Sequence, residues 1–219
     1  MYLPLIYRGD RLNALVIGGG KIATRKVMDL IQAGAKVSVI TQECLPELED
    51  YIKQHEIELE IRSYKEGDCL NGKDGAYSLI VVATNNNELN IAVSEEARHH
   101  GIPVNVVDVP ELCTVYFAAV VRKDPMMMAI SSGGNAPFIA RELKKDALAV
   151  LDKWEVRAKW GEIFRVFVRE NVENFDERMR MYELFMGISG ETMSSWDKHN
   201  PPYDIWKAFH KSVKMERND

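Results

Sequence analysis

An apolar strand running into three glycines and a helix, regular alternation of strand and helix up to about residue 108, and a change of period after Pro110 together predict an α/β chain. The expected architecture is a doubly wound parallel sheet, then a small α+β domain, then a helical C-terminal domain. The first strand is Asn13–Ile17; after Gly18-Gly19-Gly20, the residues Ile22, Ala23, Val27, Leu30 and Ile31 recur near helical spacing. Gly34 ends that helix and Lys36–Ile40, rich in β-branched residues, forms the second strand, completing a βαβ unit. Further on, Leu45–His55 reads as a helix, Leu59–Tyr64 as a strand and Tyr77–Ala83 as a buried strand. A helix from about Glu88 to His100 and a strand over Pro103–Asp108 close the series. Val115–Arg122 and Met126–Ser131, flanking Lys123-Asp124-Pro125, read as a hairpin. Beyond Pro137 the chain reads as helical. Trp160, Ile163, Phe164, Phe167 and Val168 form an apolar stripe, and further helices run up to Phe185 and from Asp204 to Val213. Expected boundaries are 1–112, 113–147 and 148–219.

With 219 residues, 46% of them hydrophobic and 28% charged, the chain can bury a sizeable core. Lys and Arg number 28 against 33 Asp and Glu, a net charge of -5 that argues against a nucleic-acid partner. The longest apolar run, Val115–Val121, is too short for a membrane span, and Met1–Asp10 lacks a basic start followed by a long apolar stretch. A cytoplasmic protein with no membrane partner is expected. Cys44, Cys69 and Cys113 are scattered, and none of the five histidines has metal-ligand spacing, so neither disulfides nor a preassembled metal site is expected. The four tryptophans all lie in the last third, as packing for a helical domain or subunit interface, or as a stacking platform for a ligand.

Gly18-Gly19-Gly20-Lys21-Ile22-Ala23 fits the G-x-G-x-x-[GA] fingerprint between a strand and a helix, which makes the sheet Rossmann-like. Without Cβ atoms, Gly18 and Gly20 let backbone amides approach a pyrophosphate favoured by the helix N-terminus. Past the second strand the first carboxylate is Glu43, so either Glu43 or the Gln42 backbone holds the ribose. No Arg or Lys follows that strand closely, as a 2′-phosphate would want, which favours NAD over NADP. Thr84 and Asn85 follow the fourth strand at the edge where ligands bind, as ribose contacts or as a turn with an N-cap. Asp108, ending the fifth strand, is placed to take a proton while hydride leaves a neighbouring carbon, or merely to cap a turn. Ser131, Ser132, Gly133 and Asn135 precede a helix bearing Arg141, Lys144 and Lys145, as a candidate site for a substrate carboxylate or as a plain loop with a helix cap.

Gly18–Lys26, Val82–Asn85 with Asn90, Asn105–Asp108, and Ser131–Gly134 with Pro137 together resemble the precorrin-2 dehydrogenase/sirohydrochlorin ferrochelatase family, the N-terminal module of siroheme synthases. The resemblance implies a cytoplasmic NAD-dependent oxidoreductase that converts precorrin-2 to sirohydrochlorin. In bifunctional members, Fe(II) is then inserted as a co-substrate to give siroheme, a lyase activity. It implies a dimerisation domain exchanged between the subunits of a homodimer, and a helical domain that helps enclose the tetrapyrrole. Asp108 falls on the family's essential carboxylate, Lys21, Ile22, Gln42 and Glu43 on its NAD contacts, and Ser132 on a serine phosphorylated in some members. Arg122, Lys123, Arg141, Lys144 and Lys145 would supply cations to a substrate rich in carboxylates. Phe117-Ala118-Ala119 departs from the family, where a proline commonly follows the aromatic residue. With no methyltransferase stretch in this sequence, synthesis of precorrin-2 is expected to fall to another protein. The alternatives are a dehydrogenase without chelatase activity and a non-catalytic NAD-sensing module.

Overall fold

A computed structural model describes residues 2–73 and 75–216. They divide into two compact units. One runs up to Phe117 and includes Gly133–Asn135; the other comprises Ala118–Ser132 and the chain from Ala136 onward.

In the first unit, β1 (Asn13–Ile17), α1 (Lys21–Gln32), β2 (Lys36–Thr41), α2 (Pro46–Gln54), β3 (Glu58–Ile61), β4 (Leu79–Val82), α3 (Asn87–His99) and β5 (Val104–Val106) follow in order. Every pairing is parallel and the strand order is β3-β2-β1-β4-β5. Sequential winding runs outward from β1 in one direction and resumes at β4 on its other side, so the switch point lies between β1 and β4. The expected parallel sheet is present, with shorter strands than the apolar runs suggest.

Strand residues are buried on both faces because helices cover both. Ala14 and Val16 point with Val39 and Val81 toward Val27 of α1 and Leu48 of α2. Leu15 and Ile17 point with Ile40, Ile80 and Val82 toward Val93 of α3. Each fully buried Leu, Ile or Val is worth about 1.5–3 kcal/mol, so the two clusters hold the central strands firmly. β3 is an edge, mostly exposed, and ends at Ile61 rather than Tyr64.

In the second unit, β6 (Ala119–Lys123) and β7 (Met126–Ile130) pair antiparallel as the expected hairpin. The hairpin packs through Val121, Met126, Met128 and Ile130 on Ala147 and Leu151 of α4 (Pro137–Asn171). Helix α4 runs unbroken through residues 147 and 148, where the sequence suggests a boundary. It is followed by α5 (Phe175–Met186), α6 (Gly190–Ser194) and α7 (Tyr203–Glu216). The apolar stripe of α4 lies in their core: Trp160, Phe164, Phe167 and Val168 are buried with Met181, Phe185 and Trp206. Trp160 meets Trp196 edge-on at 5.3 Å, and Trp206 lies 5.2 Å from Phe164, so three of the four tryptophans pack this core. Trp154 is exposed, under Arg157. Among the described residues no helix is long and apolar enough to cross a membrane.

Candidate dinucleotide site

The glycine turn links β1 to α1 at the switch point, and its three glycines do different work. Gly18 has φ +119°, and a Cβ there would lie 2.3 Å from the Ala83 carbonyl oxygen after β4. A Cβ on Gly19 would lie 2.1 Å from the Glu43 carbonyl oxygen. Both positions are therefore demanded by packing. Gly20 is exposed, and a Cβ there would meet nothing within 4 Å. Gly20 also starts α1 without a side-chain cap, and the first helical bond runs from the Thr24 amide to the Gly20 carbonyl (3.0 Å). The amides of Lys21, Ile22 and Ala23 precede that bond, at the positive end of a helix of 12 residues. A backbone open at Gly20 and braced at Gly18 and Gly19 fits a pyrophosphate.

The loop after β2 is tied to this turn. The Leu45 amide donates to the Gly19 carbonyl (3.0 Å), and the Thr41 hydroxyl donates to the Glu43 carbonyl (2.7 Å). Glu43 is exposed, and the Gln42 amide group donates to the Ser63 hydroxyl (2.7 Å) beyond β3. Lys21 and Ile22 are exposed on the first turn of α1. The structure thus brings Gly18, Gly20, Lys21, Ile22, Gln42 and Glu43 to the carboxyl ends of β1 and β2.

After β4, Thr84 and Asn85 take different parts. The Thr84 hydroxyl donates to Asn90 Oδ1 (2.6 Å), and Asn90 returns a bond to the Thr84 carbonyl (3.2 Å). Asn86 caps α3 by accepting from the Leu89 amide (3.1 Å). Asn85 is left exposed at the rim.

Asp108 does not end a strand. β5 stops at Val106, and Asp108 stands two residues further on in a turn, exposed, with φ 60°. The left-handed region costs an ordinary residue about 1–2 kcal/mol and is entered by Asp more readily than by most. The strand is cut short because the chain must turn. The Val107 amide still bonds the Val82 carbonyl (2.9 Å), whereas the Val109 amide turns back to Val106 (3.3 Å). The Cys113 thiol holds the turn from behind, within 3.1 Å of the Val106 carbonyl and 3.4 Å of the Val109 carbonyl. Nothing in the spacing of Cys113 signals this role.

Sequence reading also passes over Lys26, whose ammonium lies 3.8 Å from the centroid of the Phe117 ring, with burial lowering its pKa. Phe117 is the aromatic residue at the point where the chain departs from the family pattern.

The Ser131–Asn135 segment divides between the units: Ser131, Ser132 and Arg141 belong to the second, Gly133 and Asn135 to the first. Ser132 Oγ accepts from the Ala136 amide (2.9 Å), while Gly133 and Gly134 take φ values of 63° and 85°. Of the expected cations, Lys123 is held by Asp152 (3.0 Å) and Glu155 (3.1 Å), and Lys145 by Glu142 (2.8 Å), whereas Arg141 and Lys144 are exposed. In the helical unit a groove of about 520 Å³, lined by Ile163, Phe167, Tyr203 and Lys207 among others, contains none of the predicted site residues.

A parallel sheet with a switch point and an uncapped glycine turn above it defines a dinucleotide-binding α/β protein. The family model NAD_binding_7, described as "Putative NAD(P)-binding", matches residues 5–119. The chain belongs to that family, and the expected dinucleotide cofactor agrees with it. Among curated proteins, siroheme synthase of Pseudomonas paraeruginosa (strain PA7) is 38% identical over 197 residues, which is 87% of this chain and 40% of that protein. Siroheme synthase of Azotobacter vinelandii is 35% identical over 201 residues, 89% of this chain and 41% of that protein. The chain therefore spans about two fifths of the length of these relatives. Among solved structures, "SirC, precorrin-2 dehydrogenase" covers 98% of this chain and 100% of its own, with a TM-score of 0.68 at 21% identity, a likeness in fold. The resemblance drawn from the ordered motifs agrees with these relatives.

Proposed function

We propose that the chain is a cytoplasmic, NAD-dependent precorrin-2 dehydrogenase of siroheme synthesis. The observation that carries the reading is Asp108: an exposed carboxylate held at φ 60° just past β5, the strand that pairs with β4 beside the switch point. A side chain kept where glycine would be less strained is best explained by use of its carboxylate. The resemblance to siroheme synthases over 87% of the chain supports the substrate.

When bound, the dinucleotide supplies the hydride acceptor. The chain's own part is to bind and to take a proton. The amides of Gly20, Lys21 and Ile22 would face the pyrophosphate, with Gln42 and Glu43 toward one ribose and Thr84 and Asn85 toward the other. The Asp108 carboxylate would accept the proton released as hydride leaves precorrin-2, and sirohydrochlorin, NADH and a proton result. Ser131, Ser132, Gly133, Asn135 and Arg141 would engage substrate carboxylates. In the three-part organisation proposed, residues 1–112 bind NAD, 113–147 dimerise and 148–219 form the helical domain. Phe138, Ile139 and Leu143, exposed on the first turns of α4, are an apolar surface suited to a second copy of the chain. Insertion of Fe(II), with Asp108 accepting pyrrole protons, would follow as a second activity.

The test is an anaerobic assay in which precorrin-2 and NAD are supplied to the protein, and Fe(II) afterwards. NADH formation that vanishes in Asp108→Ala while dinucleotide binding persists is expected. Unaltered turnover in that variant excludes Asp108 from the reaction. Sirohydrochlorin accumulating without accelerated iron uptake identifies a dehydrogenase alone.

A further inference from the structure

We infer that Arg62, held between Asp68 and Glu60, sets the choice of dinucleotide by denying a 2′-phosphate a guanidinium that the fold brings beside β2. This rests on dinucleotide binding at the glycine turn. Such proteins read the ribose beyond the second strand, where an Arg typically accommodates a 2′-phosphate. In sequence no Arg or Lys follows β2 closely, but pairing with β3 brings in Arg62, 21 residues beyond Thr41. The Arg62 amide donates to the Thr41 carbonyl (2.8 Å), and Gln42 Nε2 donates to Ser63 Oγ (2.7 Å). Arg62 and Ser63 thus stand alongside Thr41 and Gln42, next to the expected ribose contacts.

The guanidinium is already committed. Nη1 and Nη2 bind Asp68 in a two-pronged pair (2.6 and 3.1 Å), Nε binds Glu60 (2.7 Å), and Nη1 also reaches the Ser63 carbonyl (3.0 Å). These bonds use four of its five N–H groups. Asp68 is itself fixed by the Lys65 amide (2.7 Å), and its side chain is only 14% exposed, which limits competition by water. One cation with two carboxylates leaves this group at a net charge of about −1, and exposed Glu43 adds to it. A phosphate monoester, with about −1.5 to −2 charges at pH 7, meets repulsion here without a free donor fork. A ribose hydroxyl meets no such cost.

Fluorescence titrations with NADH and NADPH test this directly, with no catalytic turnover. Wild-type protein should favour NADH by at least about tenfold. The double variant E60Q/D68N should tighten NADPH by at least about fivefold while NADH stays within about twofold. Adding Arg62→Ala to that variant should cancel the gain. If the double variant fails to fold, Glu60→Gln alone, at an exposed position, should tighten NADPH by about two- to threefold. NADPH affinity unmoved by freeing Arg62, or a gain that survives Arg62→Ala, overturns the inference while leaving dinucleotide binding intact. A wild-type protein that binds neither nucleotide overturns both.

Discussion

Cys113 clasps Val106 at both polar atoms of its peptide groups: Sγ lies 3.1 Å from the Val106 carbonyl oxygen and 3.2 Å from its amide nitrogen, two residues before Asp108. With the Val109 carbonyl at 3.4 Å, the thiol bridges both sides of the turn that carries the carboxylate. Burial pushes the Cys113 thiol up, so it remains a protonated donor at neutral pH. Cys113→Ala removes these bonds, at a cost of about 1 kcal/mol, and frees the turn. The expected outcome is a fall in kcat of about tenfold with the dinucleotide Kd unchanged, and partial recovery in Cys113→Ser. Steady-state kinetics beside nucleotide titration separate this from general loss of fold, which would lower kcat and weaken nucleotide binding together.

Strain at Asp108 predicts an exchange of stability for activity. Asp108→Gly relieves the φ 60° conformation and should stabilise the protein by about 0.5–1 kcal/mol, raising Tm by about 1–4 °C, while turnover is lost. Asp108→Asn, which tolerates the same backbone, should leave Tm in place and also lose turnover. Calorimetry showing that Asp108→Gly lowers Tm would contradict a strained carboxylate.

The three glycines of the turn should separate folding from binding. Gly18→Ala drives a methyl group to 2.3 Å from the Ala83 carbonyl at φ +119° and should cost more than about 2 kcal/mol. Gly20→Ala enters open space at φ −84° and should keep its melting temperature. Its methyl group would instead meet the pyrophosphate, and NADH affinity should drop by at least about tenfold. Thermal melts and titrations of the two variants should therefore give opposite patterns.

A carboxylate latch between the β3–β4 loop and α3 predicts an alkaline limb of unfolding. Glu96 accepts from Tyr64 Oη (2.8 Å), Cys69 Sγ (2.9 Å) and the Gly67 amide (2.7 Å). Burial, followed by the Glu96 contact, raises the Cys69 thiol from 9.0 to about 11, and Tyr64 is raised by the same causes. A folded value above the unfolded one contributes stability that is full below pH 9.0 and disappears as pH rises through about 11. Urea titrations should show stability falling across that window, with a shallower slope in Cys69→Ala. At pH 8, Cys69 should resist iodoacetamide in the native protein and react once it is unfolded.

Much of the first unit is legible in the sequence because its signals are local. The run Asn13–Ile17, the glycines after it and the helical spacing from Ile22 to Ile31 each report on neighbours a few residues apart, and the structure reproduces them as β1, turn and α1. The stripe from Trp160 to Val168 specifies a buried helix face in the same way. Strand ends are less legible, because hydrophobicity continues through Val107 and Val109 while the inter-strand hydrogen bonding ends at the Val107 amide.

By itself, then, the order of residues determined a parallel sheet wound around a glycine turn, a hairpin and a helical end, since periodicity and turn chemistry act over short stretches of chain. Tertiary structure alone decided that Gly18 and Gly19 serve packing while Gly20 stays open, that Cys113 grips the Asp108 turn, and that Arg62 reaches β2 already paired with Asp68. Each of these depends on groups from separate segments meeting within hydrogen-bonding or van der Waals distance, a property of how the strands pair that no local pattern encodes.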